Sequence, residues 1–271
     1  MMKKISVALI GAGSMGGALL KGWLANDTID IDRSAVFDPG ASAELKALCA
    51  EHQLSLNPAI ESVAPDAALI AIKPQKADAL LPAYAALTEK ALVISVMAGK
   101  SIASISKALG GAALVARTMP NLPAAIGKGV TGLYAPDQIN AEGRAAIETL
   151  MAAAGETVWV NSEAQIDYVT AVSGSGPAYF FLLTEALAEA GEALGFDRAA
   201  AEKLALGTLT GSGALMAVET RTPAQMRSAV TSPGGTTEAA LNVFDGKEQK
   251  MRMLVKEAVA AAARRAGELT E

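Results

Sequence analysis

An apolar run, Ile5-Ser6-Val7-Ala8-Leu9-Ile10, breaks into Gly11-Ala12-Gly13-Ser14-Met15-Gly16, and apolar residues at helical spacing continue from Ser14 to Ala25. That order demands a buried parallel strand, a tight turn and a helix packed back on the strand. The three glycines have distinct duties. Gly11 permits the turn, Gly13 admits a pyrophosphate against the backbone, and Gly16 lets helix and strand close up. A nucleotide crevice is therefore expected at Gly11, Ala12, Gly13, Ser14, Met15 and Gly16.

Short apolar runs recur at 34–38, 67–72, 92–96 and 114–116, with helical patterns between them at 41–51, 75–87 and 101–109. Alternating strand and helix predicts a doubly wound sheet. Further strands are expected at 129–133 and 156–160, around a helix at 141–153. Beyond residue 161 strand signals stop, and long helical patterns occupy 178–194, 198–219, 238–244 and 248–267. The fold class is thus an α/β Rossmann-like doubly wound domain, 1–162, followed by an all-α domain, 163–271. Gly207, Gly211 and Gly213 lie within one helical pattern. Glycine there costs about 1 kcal/mol each against alanine, so another backbone is expected to approach closely.

The 271 residues are 51% hydrophobic with a net charge of −5, enough for two cores and unsuited to a nucleic-acid partner. No run of 18 apolar residues marks a membrane helix. The single cysteine, Cys49, fits a reducing compartment, and the cytoplasm is the expected location. His52 is the only histidine, so neither a metal set nor a familiar nucleophilic triad is expected. Gly99-Lys100-Ser101 is no P-loop, because Ile94 stands where that loop needs a glycine.

Asp38 ends the second strand, 22 residues after Gly16. A carboxylate there bonds the ribose hydroxyls of NAD and repels a 2′-phosphate. Ala71-Ile72-Lys73-Pro74 and Met97-Ala98-Gly99 also follow strands, on the side where open α/β sheets bind ligands. In the second half, Ser173-Gly174-Ser175-Gly176 and Ser232-Pro233-Gly234-Gly235-Thr236-Thr237 each put small and hydroxyl residues before a helical pattern. Such turns are expected to aim backbone N–H groups at a small carboxylate.

With the two C-terminal motifs and the glycine turn together, the chain resembles the pyrroline-5-carboxylate reductases over essentially its whole length. The resemblance implies NADPH- or NADH-dependent reduction of 1-pyrroline-5-carboxylate to L-proline, without a metal. It assigns the substrate carboxylate to Ser232, Gly234, Gly235, Thr236 and Thr237, with Thr237 as the catalytic group near the imine nitrogen. Ser173, Gly174, Ser175 and Gly176 face the same cavity. The strand-end segments and Asn121 lie near the cofactor. It also implies a homodimer, which family members often stack into rings. Asp38 departs from the family, which usually carries small hydroxyl or basic residues there and often prefers NADPH. A hydroxyacid dehydrogenase, the nearest rival, needs a catalytic lysine on the first long helix of its second domain. No lysine occurs between Lys128 and Lys203.

Overall fold

The computed structural model describes residues 4–111 and 113–270. Eight strands form one sheet in the order β3-β2-β1-β4-β5-β6-β7-β8. They are β1 (Val7–Ile10), β2 (Ala35–Phe37), β3 (Ser55–Leu56), β4 (Ala67–Ile70), β5 (Leu92–Ser95), β6 (Val115–Met119), β7 (Gly129–Tyr134) and β8 (Gly155–Trp159). Among the described residues only the β6–β7 pair is antiparallel. The order reverses between β1 and β4, which opens a crevice beyond their carboxyl ends.

Burial on both faces explains the unbroken apolar run of β1. Val7 and Leu9 join one core with Leu19, Leu20 and Trp23 of α1 (Ser14–Ala25). Ala8 and Ile10 join the other core with Phe37, Leu81 and Val93. Trp23 donates its indole N–H to the Leu150 carbonyl at 2.7 Å and so ties α1 to α6 (Ala141–Ala152). Between them run α2 (Ala43–Glu51) and α5 (Ile102–Ala108), capped by Ser42 and Ser101 respectively.

The expected helix at 75–87 is broken. Short pieces α3 (Ala77–Leu80) and α4 (Ala85–Thr88) alternate with tighter turns at Pro74–Lys76 and Leu81–Tyr84. Pro82 lacks the N–H that a continuous helix needs there.

The chain divides into two compact units, Met1–Ser175 with Ala262–Glu271, and Gly176–Ala261. This division falls later than residue 162. The helix α7 (Ala164–Val169) and the turn after it belong with the sheet, and so does the end of α12 (Lys250–Thr270). The second unit contains α8 (Gly176–Ala193), α9 (Arg198–Val218), α10 (Pro223–Ala229) and α11 (Thr236–Asp245). Ala188, Ala201 and Ala205 form its small buried core. No helix among the described residues is long and apolar enough to cross a membrane.

Candidate active site

In the first unit the three glycines of the β1–α1 turn differ in what surrounds them. Gly11 has φ +88, and a Cβ there would stand 2.8 Å from the Ala71 carbonyl oxygen. A Cβ on Gly16 would collide with the Gly11 carbonyl. Gly13 has nothing within 4 Å of its would-be Cβ, and no side chain caps the α1 N-terminus that it begins. The exposed helix start and the open glycine fit a dinucleotide pyrophosphate, whose charge the N-terminal amides and helix dipole favour. A cleft of about 370 Å³ adjoins them, lined by Ala12, Gly13, Ser14, Lys21, Asp38 and Ser42 among others.

Asp38 lies at the edge of this cleft with a defined orientation. Its Oδ2 accepts from the Ala12 amide and its Oδ1 from the Gly40 amide, both at 2.9 Å. Asn57 brackets its backbone, accepting from Asp38 N and donating to Asp38 O. Tyr84, which sequence reasoning did not single out, packs edge-on to Phe37 with ring centroids 5.6 Å apart. Burial holds its phenol pKa above the ordinary range, and the Asp38 charge adds to the effect.

Ala71 and Ile72 follow β4 directly and line the back of the Gly11 turn. Lys73 is exposed and Pro74 half-buried. Met97 is buried, whereas Ala98 and Gly99 are half-buried. At Gly99, with φ +64, a Cβ would stand 2.9 Å from both the Cβ and the carbonyl oxygen of Leu269. The end of α12 therefore closes over this turn.

Asn121 is buried, and both ends of its side chain are engaged. Its Oδ1 accepts from the Val130 amide at 2.9 Å, and its Nδ2 donates to the Ser173 carbonyl at 3.1 Å.

Ser173–Gly176 does not form the expected loop before a helix start. Thr170–Gly174 is a π turn joining α7 to α8, and the Ser175 amide donates to the Thr170 carbonyl at 2.8 Å. Ser173 Oγ donates back to the Val169 carbonyl. The expectation of outward-facing N–H groups at a helix terminus fails here, because the small residues serve an irregular turn inside a helical path.

In the second unit, Ser232–Gly235 does precede a helix. Gly234 has φ +72, a conformation that glycine adopts without strain. The Gly234 amide donates to Glu238 Oε2 at 2.8 Å, and the Gly235 amide to the Ser232 carbonyl at 3.0 Å. Those two donors are thus used internally. No side chain caps α11, which leaves its first-turn amides, from Thr236 onward, as the donors for an anion. Ser232, Gly234 and Thr236 are exposed, and Gly235 and Thr237 half-buried.

The comparisons with known proteins bear on both units. Residues 163–269 match the family model described as pyrroline-5-carboxylate reductase dimerisation. Residues 6–99 match the one described as NADP oxidoreductase coenzyme F420-dependent. A pyrroline-5-carboxylate reductase of Pseudomonas aeruginosa is 40% identical across 98% of this chain and 97% of its own. The chain belongs to the pyrroline-5-carboxylate reductase family. A Synechocystis reductase is 38% identical across 98% of each chain. Among solved structures, the reductase of Coxiella burnetii superposes with a TM-score of 0.90 at 33% identity, covering 99% of this chain and 100% of the other. The Plasmodium falciparum pyrroline carboxylate reductase, solved with NADP bound, gives 0.82 at 25% identity and covers both chains fully.

Sequence reasoning also passed over the role of Arg117 in this family member. Its guanidinium is 1% exposed and reaches Glu163 Oε1 at 3.2 Å and Asp167 Oδ1 at 3.1 Å. Glu163 Oε1 also accepts from the Ile102 amide, and Asp167 Oδ1 from Thr270 Oγ1. One buried cation thus binds β6 to α7 and to the α5 cap, and through Asp167 to the end of α12. The signal available in the sequence was a lone arginine inside an apolar strand pattern, where an unpaired charge is not tolerated.

Proposed function

We propose that this chain reduces 1-pyrroline-5-carboxylate to L-proline, the last step of proline biosynthesis, using NADH or NADPH. The observation that carries the reading is the uncapped start of α11 behind Ser232–Gly235, in a chain whose other unit bears an open-glycine dinucleotide crevice.

When bound, the reduced dinucleotide supplies the hydride that turns the ring C=N bond into C–N. The residues of this chain do the rest. Gly11–Gly16 and the α1 N-terminus hold the pyrophosphate, and Asp38 takes the ribose. Ala71–Pro74, Met97, Ala98 and Gly99 border the nicotinamide side. The α11 amides at Thr236 and Thr237 grip the substrate carboxylate, with Ser232, Gly234 and Gly235 shaping the loop. The family resemblance adds Ser173–Gly176 to the substrate residues and Asn121 to the cofactor side. An imine that is already protonated needs no strong acid from the protein. Thr237 orients the ring nitrogen through its hydroxyl, which is too weak an acid to serve as the proton source.

The working form is a homodimer, and the cytoplasm its location. Phe180 and Phe181 of α8 and Leu204 and Leu206 of α9 are exposed, and Gly207, Gly211 and Gly213 have nothing within 4 Å of a would-be Cβ. An apolar surface stripped of Cβ atoms suits the close approach of a second copy. Incubating the purified chain with pyrroline-5-carboxylate and either reduced cofactor tests the activity. Cofactor oxidation matched by proline formation is expected, and binding without turnover would overturn the assignment.

A further inference from the structure

Resting on this reading, we infer that the adenosine end of the cleft selects NADH over NADPH, with Asp38 and the Lys21–Glu44 pair as the specificity determinants. A 2′-phosphate needs cations or free donors beyond the end of β2. The cleft offers one cation, Lys21, and its ammonium is held by Glu44 Oε1 at 2.6 Å. The Glu44 carboxyl sits below its ordinary pKa, through its hydrogen bond to Lys21 and then that charge. Glu44 also lies in the first turn of α2, where it competes for the helix's positive end.

Asp38 cannot swing aside without losing two amide donors, Ala12 and Gly40. Each carboxylate oxygen keeps a further lone pair for a ribose hydroxyl. A phosphate on the 2′ oxygen removes that hydroxyl and brings two negative groups together. Recruiting Lys21 to the phosphate would strip Glu44 of its partner and leave a third negative charge nearby. The cleft as built therefore rewards a free diol and penalises its phosphate ester.

Equilibrium titration of the full chain with NADH and with NADPH, followed by calorimetry and without substrate, tests this. NADH is expected to bind about tenfold or more tightly, the scale of hydrogen bonds to a charged group. Asp38→Asn removes the charge together with one of the two amide acceptors, and should narrow the ratio severalfold. Glu44→Gln frees Lys21 and should strengthen NADPH binding while leaving NADH nearly unchanged. Equal or tighter NADPH binding by the parent would overturn the inference and leave the reductase reading intact. So would an unchanged ratio in both variants with melting temperatures near the parent's. Failure of the parent to bind either cofactor would overturn the inference and the reductase reading together.

Discussion

Asn121 donates its side-chain amide to the carbonyl of Ser173, the acceptor that a regular helix would satisfy from position 177. Residue 177 is proline and has no N–H to give. The π turn at Thr170–Gly174 and the Asn121 contact together resolve what Pro177 leaves open. Replacing Asn121 by alanine leaves the half-buried Ser173 carbonyl and Val130 amide without this partner. A loss of about 1–3 kcal/mol is expected from urea melts. If Asn121 served only a ligand, stability would not move.

Arg117 makes a second prediction about the same region. Removing one partner of a buried ion pair costs about 3–5 kcal/mol. Glu163 is 32% exposed and can turn to water, whereas Asp167 is 13% exposed. Arg117→Met is therefore expected near the lower end, about 3 kcal/mol. Arg117→Lys should recover little, because one ammonium nitrogen replaces the two guanidinium nitrogens that reach Glu163 and Asp167 separately. Chemical denaturation of the three proteins side by side settles the ranking.

Much of this architecture is readable from residue order, for physical reasons that also explain the gaps. Helix α1 ends where its apolar spacing ends, and the strands β1, β4 and β5 are short apolar runs buried over nearly their whole length. Ser55–Leu56 pairs with β2 over two residues, too short to leave a periodic signal. Thr222 and Gln225 close a capping box that starts α10, a local cue smaller than the patterns around it. Ser173–Gly176 has the composition of a loop, yet tertiary partners hold it in a helical path. For the candidate site, residue types near β1, β2 and α11 disclosed the chemistry. Which amides remain free at Gly234–Thr237 depends on Glu238 folding back, which composition does not reveal.

Alkaline pH should weaken the fold. Burial holds the Cys49 thiol pKa above its ordinary value, and burial does the same for the Tyr84 phenol, with Asp38 adding to it. A raised folded-state pKa keeps its stabilisation below the unfolded value and loses it as pH climbs through the folded one. Midpoints of urea unfolding should hold steady to about pH 8.5, the ordinary thiol range, and fall above it. Cys49→Ala should flatten the earlier part of that decline and Tyr84→Phe the later part. A midpoint that rises with alkaline pH would contradict both assignments.

Thr237→Ala separates substrate handling from cofactor binding. The hydroxyl lies in the first turn of α11, in a different compact unit from the Gly11–Gly16 turn. Turnover of pyrroline-5-carboxylate is expected to fall by about tenfold or more, since one hydrogen bond to a charged group is lost. Cofactor affinity measured without substrate should stay at the parent value. Parent-like turnover would remove Thr237 from the mechanism.

Gly13 and Gly16 should respond oppositely to the same methyl group. At Gly16 an alanine gains about 1 kcal/mol of helix propensity. It also drives a Cβ into the Gly11 carbonyl, a backbone atom that cannot retreat without opening the β1 turn. Overpacking of this kind costs about 1–3 kcal/mol and outweighs the propensity, so the melting temperature should drop. At Gly13 the backbone has φ −67 and ψ −156 and the space around it is empty, so alanine is accommodated without strain. Its methyl would instead stand where the pyrophosphate approaches. Gly13→Ala is expected to keep the parent's melting temperature and bind either cofactor at least about tenfold more weakly, the same overpacking cost now falling on the ligand. Thermal melts beside calorimetric titrations read both effects, and reversal of the two phenotypes would mean that the turn is packed for stability and does not face the dinucleotide.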